Sequence, residues 1–276
     1  MVLLYIPPVQ NLLRREVTAY ASKATGMQIQ VERIDLRFPL NLLVRGVEVI
    51  QQPDTLLSLE SLNVRVQAWP LLKGKVEVDE VTLSQVAVNS ANLIEGMQIK
   101  GVLGRFFLQS HGVDLSNETA VVNRTELSDT HIQLLMTDTT TTPKDTTASA
   151  PVNWKVNLHQ LKLKNVSFGM KLPADSMKMA AYIGEATIDD AKADLKNQFY
   201  GLKQFLLSGA SASYDTGEAQ PSEGFDASHM AVRNIRIGLD SLLYEGRNMN
   251  AVIREITMEE RSGLSITSLT GRLIFE

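Results

Sequence analysis

The sequence contains no cysteine. That excludes disulfides, thiolate nucleophiles and Cys-ligated metals, and it suits an exported bacterial protein as well as a cytosolic one. Charge of a single sign is equally scarce. The 27 Lys and Arg and the 31 Asp and Glu are spread along the whole length for a net charge of −4. No basic face collects phosphates, so nucleic acid is not an expected partner. Signatures of catalysis are missing too: there is no Gly-x-Ser-x-Gly, no Gly-rich phosphate loop before a helix and no His-Glu-x-x-His. His111, His131, His159 and His229 stand alone, each without a second ligand three or four residues away or a carboxylate in a recognisable relation. The group Glu185, Asp189 and Asp190, and the pair Glu259 and Glu260, read as solvent-side residues of a sheet. Asn117-Glu-Thr and Asn123-Arg-Thr match the glycosylation sequon, a pattern short enough to arise by chance. These absences describe a chain that is not an enzyme and holds no metal or cofactor.

What is present is a repeated phrase. With 276 residues, 44% hydrophobic and 21% charged, the chain has the balance of one large all-β domain or two ordinary ones. From Glu77 to Val88 the apolar positions Val78, Val81, Leu83, Val86 and Val88 are spaced three, two, three and two. The same spacing returns at Leu158, Leu161, Leu163, Val166 and Phe168. A shorter kernel of three then two appears at Val31/Ile34/Leu36, Val44/Val47/Val49, Leu59/Leu62/Val64, Val232/Ile235/Ile237 and Ile253/Ile256/Met258. A repeated phrase predicts a repeated structural unit. Alternation by two, broken by one step of three, suits a strand whose extra residue bulges out so that the apolar set keeps one face. A helix would need steps of three and four throughout.

Along the chain, Met1 to Pro8 is apolar, lacks a basic flank and is far short of the ~20 residues that span a bilayer. It fits either the exit of a transmembrane helix or an ordinary buried segment. Pro7 and Pro8 can start a helix in which Val9, Leu12, Leu13, Val17, Tyr20, Ala21 and Ala24 form one stripe. Arg14, Arg15, Glu16 and Lys23 then face water, and Gly26 stops the helix. The stripe is expected to pack on a sheet, membrane-surface binding being its less common use. From Met27 to about Met136 strand follows strand, with turn signals at Phe38-Pro39, Gln52-Pro53-Asp54, Trp69-Pro70 and Lys73-Gly74. Gly96, Gly101 and Gly104 read as bends or bulges within it. Without crossover helices, consecutive strands are expected to pair antiparallel and to bury one face. Asp138 to Pro151, rich in Thr and poor in core residues, reads as a solvated loop. A second block starts at Val152 and passes another polar loop near Thr216 to Gly224. Ala191 to Leu207 has helical spacing in part and alternation in part, and is assigned to strands. The chain stops within an apolar strand, which predicts that more repeats follow. The divisions are residues 1–26 for the end of an anchor and the amphipathic helix, 27–136 and 152–276 for two β segments, and 137–151 for the polar loop.

With these pieces assembled, the sequence resembles the N-terminal region of TamB-like members of the AsmA superfamily, in particular those of Bacteroidetes-type bacteria. The residues that carry the resemblance are Ile6-Pro-Pro-Val-Gln-Asn-Leu-Leu13, Ile34-Asp-Leu-Arg-Phe-Pro-Leu40, Leu43-Val-Arg-Gly-Val-Glu-Val49, Pro70-Leu-Leu-Lys-Gly-Lys-Val-Glu-Val78 and Trp154-Lys-Val-Asn-Leu-His-Gln-Leu-Lys-Leu163. The resemblance implies a mainly β fold: an elongated, curved antiparallel β-groove, taco-like and built of repeated units, behind one N-terminal amphipathic helix. It also implies a periplasmic location with an inner-membrane anchor, a role in outer-membrane biogenesis with phospholipids as cargo, and an outer-membrane barrel assembly partner whose protein insertion it assists. The membrane helix and the C-terminal domain of the family are not in this sequence. On this reading Val64, Val66, Val78, Val81, Leu83, Leu161 and Leu163 line a lipid path on an apolar concave face. The other reading is a scaffold or strand-binding module whose interior is filled by its own side chains.

Overall fold

The computed structural model describes residues 7–67, 69, 77–91, 93–114, 117–136, 153–217 and 220–275. Helix α1 (Pro7–Thr25) comes first. The strands follow as β1 (Gln28–Arg37), β2 (Asn41–Gln51), β3 (Asp54–Val66), β4 (Val78–Asn89), β5 (Met97–Asp114) and β6 (Thr119–Met136). After residues 137–154 come β7 (Lys155–Leu172), β8 (Met177–Asp194), β9 (Phe199–Leu202), β10 (Gln204–Asp215), β11 (His229–Glu245), β12 (Asn248–Glu260) and β13 (Ser265–Phe275). All belong to one 13-stranded sheet in which chain order is spatial order, except that the short β9 pairs with ends of β8 and β11 beside β10. The ambiguous stretch from Ala191 to Leu207 is strand on either side of a turn. The Phe38-Pro39 and Gln52-Pro53 bonds are cis and close the first two hairpins where the turn signals place them. The expected turn residues 70–74, the apolar start at residues 1–6 and the polar stretch Asp138 to Pro151 lie outside the described residues, as do residues 218–219 of the second polar loop.

Residues directly opposite one another on paired strands project from the same face. By that rule one apolar row crosses the whole sheet, from Ile34 in β1 through Leu62, Leu83, Phe106, Leu127 and Leu163 to Leu269 in β13. Next to it runs a level of residues that drop out of the ladders. Gly46, Gln85, Asp129, Asn165, Gly209 and Asn234 occupy it, all with φ between 49° and 60°. Gly, Asn and Asp tolerate this left-handed conformation better than other residues do. Gln85 and Asn165 fill the inner step of three in the two matching phrases. From β1 to β8 the neighbouring strand carries its own extra residue at the same level, so pairing resumes in register: Ser128 opposes Lys164 and Thr130 opposes Val166, with Asp129 and Asn165 skipped between them. Asn165 Nδ2 donates to Asp129 Oδ1 at 2.8 Å along this level. Close approach sets its glycines. A Cβ on Gly104 would lie 2.7 Å from the Cβ of Asp129 and 2.9 Å from its carbonyl oxygen, and one on Gly184 would lie 2.9 Å from the Gly209 carbonyl.

Helix α1 docks differently from the expected stripe-on-sheet arrangement. Leu12, Val17 and Tyr20 are 58%, 52% and 77% exposed. The polar side of the helix meets β1 instead: Gln10 Nε2 donates to the Leu36 carbonyl at 2.9 Å and Arg14 Nη1 to the Glu32 carbonyl at 2.6 Å. Ser22 Oγ accepts from the Ile29 amide at 3.1 Å. The physical reason is that β1 is an edge strand with unpaired donors and acceptors, and polar side chains satisfy them where an apolar stripe could not.

One strand pair departs from antiparallel order. β6 and β7 pair parallel, Thr119 opposite Lys155 and Leu135 opposite Lys171. A parallel pair needs a connection that returns the length of a strand. At ~3.3 Å per residue β6 is about 60 Å long, and the chain of residues 137–154 reaches about that far. The pairing also joins the two expected segments, 27–136 and 152–276, into one continuous sheet.

The glycine contacts yield a stability test. Gly104→Ala drives a methyl into backbone that cannot move aside, and is expected to cost about 1–3 kcal/mol. Thermal unfolding of Gly104→Ala and Gly184→Ala is expected to show lowered midpoints, and unchanged midpoints would refute the close approach.

Candidate functional site

The structure places all seven residues expected to line a path on one face. Val64, Val81 and Leu161 share one transverse row, which passes through Leu108 and Thr125. Leu83 and Leu163 share the next row. Val66 is directly opposite Val78, at the end of the sheet beyond the first of these rows. Each of the seven is only half-buried, although it sits amid apolar neighbours. No second layer covers this face among the described residues. Among the described residues the buried apolar ones are Leu56, Val122, Ala186, Ala210 and Ala251, and no large side chain is fully buried. A sandwich or barrel of this strand length would bury its central Leu and Phe outright.

The concavities lie on the other face. An open one of about 1020 Å³ is bounded by strands from β5 to β11, and a second of about 630 Å³ by β6 to β11 near Asn157, Lys192 and Gly201. None of the seven residues borders either. A long twisted sheet is saddle-shaped, so each face is concave along one diagonal, and apolar patterning alone does not say which. Within the larger concavity His131 Nδ1 is 2.5 Å from Ser167 Oγ, and Gln133 Nε2 is 2.9 Å from His131 Nε2.

Two histidines have the carboxylate partners that sequence reasoning missed. His159 Nδ1 is 3.0 Å from Asp190 Oδ1, and Lys203 Nζ is 2.8 Å from Asp190 Oδ2. The Lys203 hydrogen bond, then that of His159, holds the Asp190 carboxyl below its ordinary range. Asp190 and His159 come together across β7 and β8, so spacing gave no sign of it. His229, buried at 6% exposure, has Asp226 Oδ2 3.0 Å from its Nδ1. Here the three-residue separation was the available signal. Asp226 also accepts from the Ser222 and Ser228 amides, which depress its carboxyl well below the usual carboxylate range. Glu260, read from the sequence as solvent-side, is buried, and its carboxylate takes the Ser262 amide at 2.6 Å and the Ala231 amide at 3.2 Å. Hydrogen bonds from the Ser262 hydroxyl and amide lead in holding it down to about 2. These groups fasten the turns at the ends of β11 and β12, and no cluster of metal-ligating side chains occurs among the described residues. No protein-family model matches the chain, and no curated protein matches it.

Acid is expected to loosen these turns. A carboxyl whose folded pKa is depressed contributes stability above its unfolded value and loses it as pH falls towards the folded one. For Glu260 that window runs from 4.5 down to about 2. Unfolding midpoints followed through this range should fall for the native chain, and fall less steeply for Glu260→Gln, which starts lower at neutral pH. Parallel curves for the two proteins would contradict the assignment.

Proposed function

We propose that the chain is a β-groove segment of a TamB-like envelope protein of the AsmA superfamily, and that its apolar face carries phospholipid acyl chains between inner and outer membranes. The observation that carries the reading is the uncovered apolar face: row after row of Val, Leu, Ile and Phe with, among the described residues, no opposing layer and no large side chain fully buried. Such a face offers hydrocarbon a surface as apolar as its own. At ~0.8 kcal/mol per buried CH₂, a dozen methylenes recover about 10 kcal/mol, comparable with what retains a chain in a bilayer. No catalytic group is needed for passive carriage of this kind. The elongated groove, the repeated unit, the periplasmic location, the inner-membrane anchor and the outer-membrane barrel partner rest on the sequence resemblance. The same open face argues against the filled scaffold, which would bury Leu83 and Leu163 among its own side chains.

Val78→Glu and Leu83→Glu separate the two readings. On an open face the carboxylate reaches water and only repels acyl chains, whereas in a sealed core it strands a charge and unfolds the domain. Native mass spectrometry of co-purified lipid is expected to show loss of lipid from both variants, with thermal midpoints within a few degrees of the parent. Collapse of the fold would rule out the open face, and undiminished lipid on an intact fold would rule out its role.

A further inference from the structure

The 1020 Å³ concavity on the polar face has the features of a second, separate binding site. Its floor is a single row of small residues, Gly169, Ala180, Ser213 and Ala231, directly opposite one another on β7, β8, β10 and β11. At ~4.8 Å per strand the row makes a trough about 14 Å long and one residue wide. Leu135, directly opposite Lys171, also borders it.

Gly169 is the informative member. Gly104 and Gly184 are glycine because backbone crowds them, and Gly46 and Gly209 because φ is positive there. Neither reason applies at Gly169: a Cβ there would meet nothing closer than 3.9 Å, and its φ is not in the left-handed region. Glycine inside a strand weakens it, and without a backbone reason it marks a place where something else comes close. What it leaves open is the trough.

The rim supplies charge. Lys171 and Lys178 are directly opposite each other on β7 and β8, one row from the floor, and Lys100 borders the same concavity. None of the three lysines forms an ion pair among the described residues. Like charges placed directly opposite are unfavourable unless an anion joins them. Arg233 also borders the concavity but is engaged by Glu259 at 3.1 Å. The one carboxylate on this rim is Asp215, across from Lys178 and not ion-paired to it.

We propose that this concavity binds a single-chain anionic amphiphile, its alkyl chain lying over Gly169, Ala180, Ser213 and Ala231 and its anionic head between Lys171 and Lys178. A trough one row wide takes one chain, and a cavity of this size is of the order that encloses most of a small ligand. The site is on the opposite face from the acyl-chain path proposed above and stands independently of it.

The test is equilibrium binding of dansyl-labelled undecanoate to the full chain, followed by fluorescence. The native protein is expected to show one saturable component for which the uncharged methyl ester of the probe is at least tenfold weaker, which separates it from adsorption to the apolar face, where the charge is not needed. Gly169→Leu fills the trough and is expected to weaken binding tenfold or more with an unchanged thermal midpoint. Ala180→Leu, in the same row, repeats the test should Gly169→Leu fail to fold. Lys171→Gln with Lys178→Gln should weaken it comparably, while Lys164→Gln, on β7 but outside the concavity, should leave it unchanged. Absence of saturable binding, charge-dependent binding that survives the filled trough, displacement by inorganic phosphate alone, or equal loss on Lys164→Gln would each overturn the proposal.

Discussion

An extra residue inserted in one strand of a sheet turns every later side chain on that strand to the opposite face. Here nearly every strand carries such a residue, and the apolar rows survive because the insertions fall at one level. Asp129 drops out beside Asn165, and Gly46 beside Glu32, so each strand resets by the same step as its neighbour and the pairs on either side stay matched. If β7 had no extra residue between Leu163 and Val166, those two would face opposite sides while Leu127 and Thr130 did not. This alignment, more than the hydrophobicity of any strand, makes an amphipathic surface out of twelve separate amphipathic strands. It also explains the positive φ values and the crowded glycines, which are the local cost of resetting many strands together.

Because contacts run mainly between neighbouring strands and from helix α1 to β1, the sheet gains its burial sideways, from row to row, with no opposing layer. Half-burial of each Leu yields less than a closed core would, so backbone pairing and cross-strand side-chain contacts take a larger share of the stability. Edges then matter more. The polar side of α1 supplies hydrogen bonds to β1, and that requirement turns Leu12, Val17 and Tyr20 outward. At the other border the turns of β11 to β13 are fastened by two carboxylates, the buried Glu260 and the half-buried Asp226, each bonded to backbone amides.

Strand content, helix α1 and the first two hairpins were legible because they depend on local chemistry: period two, a Gly stop after Lys23, and proline turns at Pro39 and Pro53. That the seven residues expected to line a path share one face was legible, since Leu83 and Leu163 hold equivalent places in equivalent phrases. What was not legible depends on tertiary position. The side of α1 that meets the sheet was decided by the open carbonyls of β1, which periodicity does not report. The pairing of His159 with Asp190 needed the register of β7 against β8. Concavity on the polar face follows from twist summed over long strands, and no single residue encodes it.

The parallel pair β6–β7 was, in contrast, written in the sequence in a form that strand-by-strand reading overlooks. The three-two kernel sits on a symmetric core of steps two, three, two, so it reads alike on strands of either direction. The longer phrase is directional, because Val78 and Leu158 add a further step of three at one end only. Val81 and Leu161 share a row, as do Leu83 and Leu163, which requires β4 and β7 to run the same way. Three strand-to-strand steps separate them, and three antiparallel steps would have reversed one against the other. An identical phrase in an identical sense therefore demands an even number of reversals, and one of the three steps must be parallel. The Thr-rich stretch before Val152 is the only connection between them long enough to carry it.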